Sequence, residues 1–168
     1  MGSNTGQYSR LAAESGANVI AVDSDHDCIN HLYEYARDNH LSILPIWTDL
    51  TNTSPAIGFE NTERKSFLER INCECVFALA LLHHLLITSR IPLDRIRDYL
   101  YKMTGKYLVI EFIDNQDLMF QKLLALRENL YDLITYQYFA GIFSEKFDFI
   151  CKKEIKNTKR TLVLFRKK

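Results

Sequence analysis

No charge of either sign predominates in this 168-residue sequence, which carries 21 Lys/Arg against 21 Asp/Glu. That balance removes the whole-chain attraction to nucleic acid or an anionic membrane that a basic excess would supply. No apolar run reaches the ~18 residues of a membrane span. The longest, Val76 to Leu82, is strand-sized, and two histidines follow it at once. A basic-then-apolar signal design is missing from the N-terminus. The four cysteines (Cys28, Cys73, Cys75, Cys151) form no CxxC pair and read as reduced thiols of a cytoplasmic protein. Cys73 and Cys75 would share a strand face, with His83 and His84 not far on. Their spacing matches none of the common zinc fingers or ribbons, so no metal is expected.

Repeats and low-complexity linkers are also missing. With 47% hydrophobic and 25% charged residues, the chain fits one domain over residues 1–168. Charge is uneven only at the end: from Lys146 onward nine Lys/Arg face two acids, Asp148 and Glu154. Such a run reads as the solvated face of a terminal hairpin.

What is present is an alternation. Tyr8 to Ser15 has helical spacing with Gly16 as a stop. "NVIAVDSD" holds a short apolar strand, Val19–Val22, of the kind covered on both faces. Ser24 is placed to cap a second helix bearing Ile29, Leu32, Tyr33 and Ala36. "LSILPIWTDL" is the next strand, and Pro45 puts it at an edge. Thr51 to Glu63 reads as loop and Ser66 to Ile71 as a short helix. "CECVFALALL" is a buried strand and turn. Pro92 opens a helix that Gly105 ends. "KYLVIEF" is a strand, followed by helices over about Asp117–Leu133 and Tyr138–Glu145. "FDFICKKEI" and "RTLVLFRK" flank "KNTK" as a hairpin. This order specifies a doubly wound α/β fold, mostly parallel, with an antiparallel C-terminal hairpin.

Ligands of such sheets bind beyond the carboxyl ends of the strands. Three features converge there. The glycines of Gly2-Ser3-Asn4-Thr5-Gly6 let a ligand approach the main chain. Asp23, seventeen residues after Gly6, ends a strand where its carboxylate can accept both hydroxyls of a ribose. Asp49 ends the next strand, placed to accept from an exocyclic amine such as adenine N6. Only Met1 precedes the glycine turn, although a turn of this kind normally follows a buried strand.

"GSNTGQYS", "VIAVDSD", "WTDL", "ALALLHHLL" and the terminal hairpin together resemble a class I S-adenosylmethionine-dependent methyltransferase, over essentially the whole chain. "TDLTNTSPAIGF", "IPLDRI" and "YLVIEF" resemble more narrowly a bacterial branch related to nodulation proteins. The resemblance implies S-adenosyl-L-methionine as cofactor, with Gly2, Ser3, Asn4 and Gly6 around its methionine and ribose. It implies Asp23 on the ribose hydroxyls, Asp49 and Leu50 on the adenine, and the stretch from Ala78 to Leu81 near the methyl group. It also implies a first central strand ending in an acid, between the "VIAV" and "CVFALA" strands. That strand is absent, so the chain is expected to be an N-terminally truncated piece. Its loss would leave two edges unpaired. Three outcomes are then expected: pairing with a second copy, collapse of the two flanking strands, or weak cofactor binding.

His83 and His84 are candidate general bases, and Glu111, at the end of "YLVIEF", is a candidate substrate contact. Trp47 and Tyr8 read as packing residues. The Asn/Asp-Pro-Pro-aromatic turn of base-methylating DNA enzymes is missing after "CVFALA", which favours a small-molecule acceptor over nucleic acid. Two other readings stand beside methyl transfer. One is a non-catalytic fragment or subunit with the same fold. The other is a nicotinamide-dependent oxidoreductase, against which the loop is GxxxG rather than GxGxxG.

Overall fold

A computed structural model of the chain describes residues 1–125, 131 and 134–168. In chain order the elements are α1 (Gln7–Glu14), β1 (Val19–Asp23), α2 (His26–Asp38), β2 (Ile43–Trp47), α3 (Phe67–Arg70) and β3 (Cys73–Ala78). They continue with α4 (Leu93–Met103), β4 (Thr104–Ile113), α5 (Leu118–Leu124), α6 (Tyr136–Ser144), β5 (Phe147–Glu154) and β6 (Arg160–Lys167). The predicted helix over Asp117–Leu133 is described only as far as α5; residues 126–130 and 132–133 lie outside the described residues.

The α/β architecture expected from the alternation is present, as parallel strands followed by an antiparallel hairpin, in two sheets. β1 pairs β2 in parallel. β3 pairs β4 in parallel, and β4, β6 and β5 continue antiparallel in the order β3-β4-β6-β5. Among the described residues no strand pairing joins β1 to β3. The expected collapse of these two strands onto each other does not occur. Pro45 does stand on an edge, because β2 has β1 as its sole strand neighbour among the described residues.

The core lies on the four-stranded side. Val76, Ala78, Leu108, Ile110, Val163 and Phe165 point from the sheet toward α4 and α6, which supply Ile96, Leu100, Phe139 and Phe143. Phe143 stacks on Phe165 with ring centres 5.6 Å apart. Strand alternation places these residues on one face because side chains two apart share it. No helix among the described residues is long and apolar enough to cross a membrane.

Helix boundaries depart from the expectation where capping chemistry decides them. Asp25, not Ser24, caps α2, its carboxylate accepting the Cys28 N–H at 3.0 Å. Thr135 starts α6 two residues earlier than the spacing suggests, accepting from the Tyr138 N–H. α4 stops at Met103 because Thr104 turns directly into extended backbone, so Gly105 lies inside β4 rather than at a helix end. The segment after β3 holds a wide helical turn, His84–Thr88, that buries Leu85, Leu86 and Ile87.

Gly6 shows how tightly the N-terminal loop is fitted. It caps α1 in the left-handed region (φ 84°), and a Cβ there would collide with the fully buried Leu32. Both the angle and the contact exclude a side chain. Gly6→Ala is therefore expected to destabilise the chain by about 1–3 kcal/mol, measured as a lowered denaturation midpoint with an unchanged m-value. A neutral result would mean that this loop is not held against α2.

Candidate functional site

The N-terminal loop coils because three of its residues are left-handed: Gly2 (φ 64°), Asn4 (φ 48°) and Gly6 (φ 84°). Asn is among the few side-chain-bearing residues that tolerate this region. The coil is tied to β1 by the Ser3 N–H donating to the Val22 carbonyl at 3.0 Å. The Asn4 N–H donates to Asp23 Oδ2 at 2.7 Å, and Asp23 Oδ1 accepts the Asp25 N–H at 3.0 Å. Asp23 is half-buried, and each of its oxygens keeps acceptor capacity beyond the single bond it makes. The Ser3 hydroxyl is buried with no partner among the described residues.

Asp49 follows β2 and is exposed. Its Oδ1 accepts both the N–H and the hydroxyl of Thr51 at 2.8 Å, so its other oxygen carries the remaining acceptor capacity. Leu50 packs on the edge of the core. Trp47, read as a packing residue, is instead 61% exposed. Its indole N–H donates to the Ser24 carbonyl at 2.9 Å, and its ring stands edge-on to His26. Tyr8 is exposed as well.

Across from the loop, the turn after β3 is fixed by ion pairing. Ala80 is left-handed (φ 50°), and its N–H donates to Glu111 Oε2 at 2.6 Å. Glu111 Oε1 meets Arg160 at 3.4 Å. Arg160 in turn grips Asp117 with two nitrogens, at 3.0 and 3.2 Å. Asp117 also caps α5 through the N–H groups of Met119 and Phe120. The Arg160 guanidinium beside it holds the Asp117 carboxyl below its usual range, and Asp117 in return raises the Arg160 pKa. Both oxygens of the buried Glu111 are thus engaged within the protein.

A cavity of about 960 Å³ opens between these two halves, bounded by the loop on one side and by Ala80, Glu111, Asp117 and Arg160 on the other. Gly2, Ser3, Asn4 and Glu111 border this cavity. Asp23 adjoins it through Asn4. Asp49 and Leu50 lie apart at the end of β2, and Ala78 is sealed in the core beneath Leu79 and Ala80. Neither His83 nor His84 lines the cavity. Arg160 and Asp117 were not singled out from the sequence. Arg160 falls in the basic tail that reads as solvated, and the one available signal was Asp117 at a helix start.

His83 and His84 lie with ring centres 4.3 Å apart but in different surroundings. His84 is exposed, whereas His83 is 3% exposed and its Nδ1 has no partner among the described residues. Burial pushes the His83 pKa down to about 4, and neighbouring His84 and Arg160 push the same way. A base of that strength accepts protons poorly near neutrality. Cys73 and Cys75 stand on β3, away from both histidines, and no group of three or more His, Cys, Asp or Glu among the described residues is placed to hold a metal ion.

Between its unfolded and folded pKa values, His83 binds more protons in the unfolded chain. Stability should therefore be whole above pH 6.5 and fall as pH drops toward about 4. The loss attributable to this residue is about 3 kcal/mol. His83→Phe should flatten this limb, as read from urea midpoints across pH 4–7. An unchanged slope would show that His83 takes up its proton equally in the folded and the unfolded chain.

Comparison with known proteins follows the same outline. No family model matches the chain. It is 32% identical over 166 residues to the nodulation protein NoeA of Rhizobium meliloti (strain 1021), an alignment covering 98% of this chain and 35% of NoeA. The chain thus spans about a third of the length of that relative. A TehB-like SAM-dependent methyltransferase from Corynebacterium glutamicum ATCC 13032 Kitasato superposes with a TM-score of 0.60 at 10% identity, covering 99% of this chain and 77% of that one. Magnesium protoporphyrin IX methyltransferase (ChlM) from Synechocystis PCC 6803, solved with bound SAH, gives 0.64 at 13% identity, covering 99% and 72%. The chain has the fold of the S-adenosylmethionine-dependent methyltransferases. Within that fold, the left-handed loop and Asp23 stand at the carboxyl end of β1, and the ion-paired turn stands at the carboxyl end of β3.

Proposed function

We propose that this chain is a methyltransferase domain that binds S-adenosyl-L-methionine against the Gly2–Gly6 loop, Asp23 and Asp49, and methylates a small-molecule acceptor in the adjoining cavity. The observation that carries the reading is the tie between loop and strand tip, Asn4 N–H to Asp23 at 2.7 Å. It presents a carboxylate with spare acceptor capacity beside a backbone that bears few side-chain atoms. The residues fit the cofactor. Asp23 matches a pair of ribose hydroxyls, and the unpartnered Ser3 hydroxyl offers a buried donor and acceptor. Gly2 leaves the main chain open, with an added Cβ still 3.7 Å from Leu81.

When bound, the cofactor supplies a methyl group on a sulfonium, an electrophile that needs alignment more than activation. The protein's part is then to hold and orient. Asp23 and Asp49 fix the nucleoside end by accepting hydrogen bonds. The Glu111–Arg160–Asp117 pairs hold the Ala80 turn that faces the loop. The exposed Leu118 and Met119 give the cavity an apolar wall, and Lys122 stands beside them. Such a wall suits a small acceptor with an apolar body. Neither histidine borders the cavity that would hold the acceptor, so the reading assigns no base to them. An acceptor that is already neutral and nucleophilic needs no base.

A second reading has a specific observation behind it. Among the described residues β1 has no strand neighbour on its β3 side, directly under the loop, and a loop supported on one side would bind cofactor weakly. Calorimetric titration with S-adenosylhomocysteine separates the readings. One-to-one binding is expected, weakened about tenfold or more by Asp23→Asn, a change of ~1.4 kcal/mol. NAD should give no heat. Equal affinity in the wild type and in Asp23→Asn would remove the proposed cradle, and binding of NAD alone would replace the cofactor.

A further inference from the structure

Charge is segregated in the cavity between the glycine loop and the Ala80 turn. The loop and the start of α1 contribute no ionised side chain to its lining. The charged residues that line it are Glu111, Asp117, Lys122, Lys159 and Arg160, all from the opposite wall. Both carboxylates are spent on Arg160, which meets Glu111 at 3.4 Å and Asp117 at 3.0 Å. Two ammonium groups remain. Lys122 and Lys159 are exposed, and neither side chain has a hydrogen-bond or ion-pair partner among the described residues. In a chain whose 21 Lys/Arg balance 21 Asp/Glu, this wall has a local cationic excess.

Arg160 also fixes where the two ammonium groups are anchored. It follows Lys159 in the chain and grips Asp117, the residue that caps α5, so the base of Lys159 is locked to the helix that carries Lys122. The same end of the hairpin is held by the Asp114 N–H donating to the Lys159 carbonyl at 2.9 Å. The Ile155 N–H donates to the Arg160 carbonyl at 2.9 Å and closes the turn. On α5, Leu118 stands four residues before Lys122, and positions four apart share a helix face. Leu118 is 80% exposed and Met119 47% exposed, and both line the cavity. Open apolar side chains beside a few convergent polar groups are the usual make-up of a small-molecule site.

We propose that the molecule taken up here carries an anionic head, a carboxylate or a phosphate, on an apolar body. Lys122 and Lys159 hold the head, and Leu118 and Met119 cover the body. Calling this molecule the methyl acceptor rests on the methyltransferase reading; its chemistry rests on the cavity. An ammonium group offers three donors and no acceptor, so it suits either oxyanion. Hydrogen bonds between ionised groups are roughly twice as strong as neutral ones, and a cleft lined by one sign of charge gathers ligands of the other. Arg160 is not a third partner, because two carboxylates already face it. The head is a handle apart from the atom that receives the methyl group, since its oxygens are engaged by the lysines.

Three probes with one apolar body test this: phenylbutyrate, phenylbutyl phosphate and phenylbutanol. Each is titrated by calorimetry into the chain, with and without S-adenosylhomocysteine present. At least one anion should bind about tenfold or more tightly than the alcohol, and the tighter of the two identifies the head. In the double variant Lys122→Gln, Lys159→Gln that preference should fall to about twofold or less, with the alcohol unaffected. Leu118→Ser should weaken all three probes by a similar factor. The three side chains are exposed, so thermal midpoints should stay within about 2 °C of the wild type. Equal affinity for the alcohol and both anions overturns the proposal, as does no binding of either anion up to about 10 mM. An anion preference that survives the loss of both lysines also overturns it. So does a double variant that loses S-adenosylhomocysteine but keeps the anions, because the lysines would then serve the cofactor's own carboxylate. A lysine-dependent preference in a chain that gives no heat with S-adenosylhomocysteine removes the cofactor reading and leaves the anion site standing.

Discussion

The Asp23 carboxylate is the pivot of the N-terminal half. One oxygen receives the Asn4 N–H and the other the Asp25 N–H, so a single side chain sets both the loop before α1 and the entry to α2. Hydrogen bonds to an ionised acceptor are roughly twice as strong as neutral ones, and this pair fixes loop and helix relative to the tip of β1. Trp47, reaching across to the Ser24 carbonyl, joins the end of β2 to the same junction. The geometry at the tip of β1 is thus preorganised by main-chain groups, and the lone pairs left on Asp23 are what remains after folding has used the rest.

The other wall is built on different physics. Glu111 and Asp117 are both buried, and Arg160 neutralises the two together. Removing one member of such a cluster leaves an uncompensated charge, at a cost of about 3–5 kcal/mol. The arrangement places the Ala80 N–H, a strained left-handed turn and the start of α5 in fixed relation. It draws on β4 and α5 and, from far along the sequence, on β6. Glu111 therefore serves as a brace for the turn that faces the loop, with both oxygens engaged before any substrate arrives.

These two walls differ in how far the sequence discloses them. The first is local: glycines, an Asn and a strand-end Asp within 23 residues announce a loop and an acceptor, and the apolar run of β1 predicts a strand. The alternation that followed was enough for the fold, including the hairpin and the edge position of Pro45. The second wall is non-local, since Glu111, Asp117 and Arg160 become partners only through the β4–β6 register, which pairs Ile113 with Arg160. A lone Arg in a basic tail carries no mark of that pairing. The histidines illustrate the same limit. Adjacent in sequence and with ring centres 4.3 Å apart, they differ on folding in burial, His83 being 3% exposed and His84 exposed. Cap positions went astray where two neighbouring residues compete, as Ser24 and Asp25 do, because Ser and Asp cap about equally well and propensity does not choose between them.

The division into two sheets also divides the stability. Residues 1–50 bury five apolar side chains (Ala21, Val22, Ile29, Leu32 and Ala36), and α1 buries none. The large aromatic core belongs to β3–β6 with α4 and α6. Val22 is the buried residue of β1 that joins this larger core, helped by the partly buried Met1, Ile20, Ile46 and Leu50. Each fully buried aliphatic side chain contributes only about 1.5–3 kcal/mol, so the N-terminal half rests on few contacts and is expected to open more readily than the other. A ligand that bridges the loop and the Ala80 turn would hold both halves at once and would stabilise the weaker one by mass action. Binding and folding of that half are therefore coupled by the same geometry that forms the cavity.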